Sequence, residues 1–207
     1  QLATLEGIEG VSPGRNLQAI PYASFARARE LADSGARVAD TAGRAGLDAK
    51  AVIKDAVTVD LTVNPDFSQV ESDEPQVTVN QRFEVFFPEK RPFFIENANY
   101  FDTPQRLFFS RRVADPDVGV RVTGRSRGWS FGGIVADDRR PGEAVPRDDP
   151  RFGDRALAAV ARVRREFARQ SSLGAIVTTR EFGASSNRVA GVDGRWRIDD
   201  NWTVSGQ

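Results

Sequence analysis

The chain has 207 residues, with 29 basic and 29 acidic side chains, a formal charge of +0, and no Cys, His or Met. Without Cys and His there is no disulfide, no thiolate, no imidazole base and no Ser-His-Asp triad. Charge balance speaks against a nucleic-acid partner, and no apolar run reaches the ~20 residues of a spanning helix. No signal peptide is visible, but a transmembrane β-barrel stays open, because its strands only alternate.

A start at Gln1 and a stop at Gln207, just after an apolar–polar alternation, read as an internal excerpt of a longer chain. In chain order, SFARARELADSGARVAD (24–40) fits a helix with Phe25, Ala28, Leu31 and Ala32 on one face, and helix propensity favours that. YASFARAR (22–29), following Pro21, also fits a strand. AVTVDLTVN (56–64) alternates strictly, Val57, Val59, Leu61 and Val63 against Thr58, Asp60, Thr62 and Asn64, which predicts a strand. With GLDAKAVI (46–53) before it and a tight turn at Lys54-Asp55, residues 46–64 form a hairpin.

Residues 64–112 differ from the rest. Asp66, Glu71, Asp73 and Glu74 open the segment, and residues 83–112 then hold eight of the fourteen phenylalanines. In FFPEKRPFF, Pro88 and Pro92 bracket Glu89-Lys90-Arg91, predicting a chain that is extended and turning rather than helical, and not a central strand. One expectation is a plug, lid or docking segment whose aromatics pack inside a scaffold. Its charges would then face a ligand: Asp66, Glu71, Asp73, Glu89, Lys90, Arg91, Glu96, Arg111 and Arg112. The other is a structural insertion anchored by Phe, with the charged turn in water. The acidic run has oxygen ligands for Ca²⁺ but not the EF-hand spacing, so no metal, no cofactor and no catalytic residue is assigned. GRSRGWSFGG lacks the spacing of a phosphate loop.

Further strands follow. DVGVRVTGR (117–125) turns at 125–127 into GWSFGGIVAD (128–137). ALAAVARVRREF (156–167) and SSLGAIVTTREF (171–182) join near Arg169-Gln170. NRVAGVDGRWRID (187–199) and NWTVSGQ (201–207) join at 199–201. The loop 137–155 is long and densely charged, an arrangement of short turns and a long polar loop known from outer-membrane barrels, although such a loop is also simply solvated. Arg121, Arg162, Arg164, Asp193, Arg195 and Arg197 fall on polar faces and fit a charged lumen, while Trp129, Trp196 and Trp202 near strand ends fit an aromatic girdle. A solvent-facing sheet accounts for the same residues, so the pattern alone leaves barrel and sandwich open.

DLTVNPDFSQVESD (60–73), FEVFFPEKRPFFIENANYFD (83–102) and LFFSRRV (107–113) together look like one family. The chain resembles the uncharacterised outer-membrane β-barrel domain of Gram-negative bacteria that usually follows a family 9 carbohydrate-binding-like module. The IPY string at 20–22, GLDAK at 46–50 and Val122-Thr123-Gly124-Arg125 match as well. Ile95-Glu96-Asn97 departs from the usual Leu-Glu-Gly, and the 30–45 connection is this chain's own.

The resemblance implies a strand over 20–29, a barrel continuing past Gln207, and the sugar-binding-like module upstream of Gln1. It transfers no activity. The resulting expectation is an all-β chain, antiparallel hairpins of an incomplete outer-membrane β-barrel with a long aromatic-rich insert. First strands fall in 20–64, the insert in 65–113 and further hairpins in 118–206. Its partners would be outer-membrane lipid and a saccharide or other small nutrient, in passage or surface handling, without nucleic acid. A barrel-anchored glycan hydrolase using Asp66, Glu71, Asp73, Glu89 or Glu96, and a secreted β-sandwich binding module, are the alternatives.

Overall fold

The computed structural model describes residues 16–31, 37–65 and 88–207. The acidic candidates Asp66, Glu71 and Asp73 therefore lie outside the described residues. The strands are β1 (Leu17–Leu31), β2 (Arg37–Ile53), β3 (Val57–Val63), β4 (Pro116–Ser126), β5 (Trp129–Asp138), β6 (Ala156–Phe167), β7 (Ser171–Phe182), β8 (Ser185–Arg197) and β9 (Thr203–Gly206). They form one sheet in sequence order, each neighbour antiparallel, so the chain is all-β and built from consecutive hairpins. Among the described residues the sheet is open, with β1 and β9 at its edges. No helix among them is long and apolar enough to cross a membrane, which says nothing about strands.

Period-two patterning sets the register. Val59 pairs with Val122 and Leu61 with Val120 on one face, while Asp60 pairs with Arg121 and Thr62 with Gly119 on the other. Over 22–29 the strand prevails over helix propensity, because β1 pairs with β2 from Leu17↔Ala51 to Leu31↔Arg37. The tight turn expected at Lys54-Asp55 is present. Both residues have positive φ, 50 and 53, and the Ala56 N–H closes on Ile53 O at 3.2 Å, the type I′ geometry that matches strand twist. The next turn sits at Arg127-Gly128 rather than 125–127, and a glycine takes the second left-handed position there.

Among the described residues, two short α-helical turns, α1 (Pro92–Ile95) and α2 (Arg140–Glu143), and three 3-10 turns, Ala98–Phe101, Ser110–Arg112 and Ala168–Gln170, lie outside the strands. The first corrects the expectation of a wholly non-helical FFPEKRPFF. Pro92 stands at the first helical position, where its fixed φ suits the helix and its missing N–H costs nothing.

Residues 88–115 lie across one face of the sheet. Phe93, Phe94, Phe101 and Val113 form a buried core with Ile134, Ala136, Ala158, Val160 and Ile176 of that covered face. The wall is notched to receive them. A Cβ on Gly119 would stand 3.0 Å from the Phe93 ring, one on Gly132 2.9 Å from the Phe101 ring, and one on Gly191 2.6 Å from Leu107. Among the described residues, none covers the other face.

Candidate functional site

The covered face mixes charged and apolar side chains, whereas the bare face is mainly apolar. An antiparallel sheet in water buries its apolar face and wets its polar one. Here Asp60, Thr62, Arg121, Thr123, Arg162 and Asp193 are buried on the covered face. Val120, Val135, Val163, Leu173, Val177 and Val192 stand on the bare face, each at least 38% exposed. At the short-turn end this band finishes in aromatics. Phe167 meets Trp196 edge-on at 5.5 Å between ring centres, and Arg165 lies 5.0 Å over Trp129. Trp202 is exposed beside them. At the other end it gives way to Glu181 and Arg188, paired at 2.8 Å.

The polar groups gather in three main clusters, two on the covered face and one along the long-loop rim, where Asp137 falls on the side of Val135. In the first, Arg121 is 1% exposed and its Nη2 lies 2.9 Å from Asp60 Oδ2 and 3.5 Å from Glu96 Oε2. Its Nη1 donates to the carbonyls of Phe93 and Glu96, so one guanidinium ties the wall to the segment above it. Lys50 joins from β2, donating to Glu96 and lying 3.9 Å from Asp60. Asn97 adds a 3.1 Å bond from Nδ2 to Thr123 Oγ1.

The second cluster is the pair Arg162–Asp193, which spans from β6 to β8 over Gly174 of β7. Arg162 Nη2 donates to Asp193 Oδ2 at 3.0 Å. Nη1 stands 2.8 Å from Oδ1, an ion-pair contact whose angles fall short of a hydrogen bond. A Cβ on Gly174 would sit 3.0 Å from Asp193 Oδ1 and 3.2 Å from Arg162 Nη2, so the glycine makes the crossing possible.

The third cluster rims the long-loop end. Arg44 and Arg139 both hold Asp115, at 3.1 and 2.8 Å, Arg139 and Arg155 share Asp117, and Arg155 reaches Asp137 at 2.8 Å. The hydrogen bond to Asp115 raises the Arg139 pKa above its ordinary value, and that to Asp137 does the same for Arg155. Asp138, fully buried, accepts the N–H groups of Ala114 and Asp115 at 3.0 and 2.9 Å. Farther out on the loop, hydrogen bonds from Arg151 hold Asp149 down at about 2.

Of the candidate residues, Glu89, Arg91 and Arg111 come together, and Glu96 joins the Arg121 cluster. Arg91 is 4% exposed and Glu89 half-buried while Lys90 is exposed, so the charged turn expected in water is wet at Lys90 only. Its Nε and Nη2 each donate to Glu89 at 2.8 Å, Nη2 also to Ser110 O at 3.0 Å, and Nη1 to Val113 O, while the guanidinium lies 4.3 Å over the Phe94 ring. Ser110 Oγ donates to Glu89 at 2.6 Å, and Arg111 Nη2 to Pro88 O at 2.6 Å. Full satisfaction of the guanidinium is what makes the burial tolerable. Burial alone pushes the Glu89 pKa up, but the Arg91 hydrogen bonds and charge and the Ser110 hydroxyl outweigh it, leaving the carboxyl at about 2. That direction is the opposite of what a general acid needs. Lys90 and Arg112 flank this knot and have partners of their own. Alternation alone does not mark Lys50 or Asp115 as members of these clusters; register marks Lys50, which stands abreast of Asp60 and Arg121 on three strands, and no local pattern marks Asp115.

Fold and site together define a class, an all-β antiparallel meander that covers a charge-bearing face with an aromatic segment and, among the described residues, leaves an apolar face bare. The chain belongs to the family described as a domain of unknown function (DUF5916), which matches residues 13–124. That span takes in β1–β3, the aromatic segment and β4 through Gly124. No curated protein and no solved structure matches the chain.

Proposed function

We propose that this chain is part of a transmembrane β-barrel of a Gram-negative outer membrane, its covered face toward the lumen and its bare face toward lipid. The barrel would serve the passage or surface handling of a small nutrient, saccharide-related in kind. The bare apolar face carries this reading. A contiguous exposed apolar band of this extent marks a membrane or protein contact, and barrels in lipid alternate apolar-out with polar-in.

The dimensions agree. On the bare face of β6 the apolar run Leu157–Val163 rises about 16 Å along the membrane normal, at about 3.4 Å per residue and a tilt of about 40°, and Arg165 and Phe167 carry the strand on to about 26 Å at the aromatic end. Trp129, Phe167, Trp196 and Trp202 stand where an interfacial aromatic belt belongs. The saccharide element rests on the resemblance to barrels that follow a carbohydrate-binding-like module. The Arg–Asp pairs of the inner face add the planar donors and acceptors that hydroxyl-rich solutes use.

The test is the full-length protein folded into lipid. It should migrate as a compact band that shifts on boiling, and its proteoliposomes should swell in neutral oligosaccharides. A protein that stays soluble without detergent and shows no shift on boiling overturns the barrel.

A further inference from the structure

The geometry points to residues 88–113 being a plug that occupies the lumen as one body, latched to the wall by Arg121. This rests on the barrel reading above. The segment is tied to itself before it is tied to the sheet. Glu89 and Arg91 at its start hold Ser110 and Val113 at its end. Phe93 and Phe94 pack edge to face at 5.0 Å, and Phe101 meets Phe108 at 5.8 Å. Those internal ties let it keep its shape when it moves.

Its attachments to the wall are of two kinds. At the C-terminal end, Asp138 accepts the N–H groups of Ala114 and Asp115 and fixes a pivot. Near the middle, Arg121 donates to the carbonyls of Phe93 and Glu96, and Asp60 of the wall holds the guanidinium in place whether or not the segment is seated. The rings pack into the buried core of the covered face, Phe93 over the notch at Gly119 and Phe101 over that at Gly132, so unseating them exposes apolar surface that the lumen must wet. An arginine fixed on the wall, bonding to main-chain carbonyls, makes a reversible catch. Leaving it exposes Arg121 to water with Asp60 still beside it, so no buried charge is stranded. Glu96, whose side chain is 45% exposed, is the member of the catch that faces open space, where a solute could reach it.

The experiment is single-channel conductance of the full-length protein in planar bilayers, with two independent ways of unseating the segment. Arg121→Met removes the catch. Gly132→Val fills the notch under Phe101 and leaves Arg121, Asp60 and Glu96 unaltered. Both are expected to raise open-channel conductance several-fold while keeping the compact gel band that shifts on boiling. A third variant adds Asn97→Cys and Thr123→Cys, which face each other across the seat, to Arg121→Met. Oxidation should return its conductance to the wild-type level, and reductant should release it.

The plug is overturned if Gly132→Val and Arg121→Met fold and conduct like wild type, or if the oxidised tether leaves conductance high. If Arg121→Met gives no compact band, Gly132→Val decides alone. Absence of both the compact band and any channel, in wild type as well, overturns the barrel reading and the plug with it.

Discussion

Replacing Glu89 by Gln isolates the ion pair that knots the aromatic segment. Its carboxyl is held at about 2 instead of 4.5, a preference for the ionised form of about 3 kcal/mol. The side chain is 15% exposed, so screening by water removes little of this. Because the folded value is depressed, the stabilisation is complete above pH 4.5, declines as the pH falls from 4.5 toward 2, and is gone below about 2. Glu89→Gln removes it at every pH and leaves the Arg91 guanidinium, 4% exposed, without its counter-charge. Hydrogen exchange of the amides of residues 91–101 and 110–113 reads the opening of the segment directly. In the wild type the opening free energy should be flat above pH 5 and fall by about 3 kcal/mol between pH 4.5 and 2. In the variant it should be about 3 kcal/mol lower at pH 7 and nearly flat over the acid range. Equal protection of the two proteins at pH 7, with the same acid slope, would refute the assignment.

Other substitutions probe the wall. Arg162→Ala strands Asp193 in the interior and should cost about 3 kcal/mol, whereas the double replacement Arg162→Leu/Asp193→Leu should cost much less, both read from urea unfolding in lipid vesicles. Gly174→Val should come close to the Arg162→Ala effect without replacing either charged residue, because its side chain would occupy the space the pair crosses; a change within about 0.5 kcal/mol would disprove that reading. Val177→Arg on the bare face should cost about 2–4 kcal/mol in the same vesicles, a loss that a water-exposed site would not show.

Much of the framework was readable residue by residue. The valines of 57–63 and 118–122 announce both the strands and their shared face, and Lys54-Asp55 announces the turn between β2 and β3. Arg121, Arg162 and Asp193 are legible as polar-face residues because period two leaves them no other side. The burial of Arg91 is not, because Glu-Lys-Arg between prolines looks solvated unless one knows that Ser110 and Val113, distant in sequence, supply its partners. The Arg121 catch is hidden for the same reason. It is assembled from β2, β3, β4 and the aromatic segment, and only its cross-strand part is encoded in register. Nor does alternation say which face meets water, since apolar-out and apolar-in give the same string.

That last ambiguity is the central one, and site-specific labelling can resolve it, since these 207 residues contribute no cysteine of their own. Single cysteines at Val120, Val135, Val177 and Val192, and at Ile134 and Ile176 for comparison, would carry spin labels in the full-length protein folded into vesicles. Collision rates with oxygen, which concentrates in lipid, and with a water-soluble nickel chelate give the medium at each site. The account predicts high oxygen and low nickel access at the four bare-face valines, and low access to both reagents at the two isoleucines beneath the aromatic segment. Ready nickel access at Val120, Val135, Val177 and Val192 would contradict it.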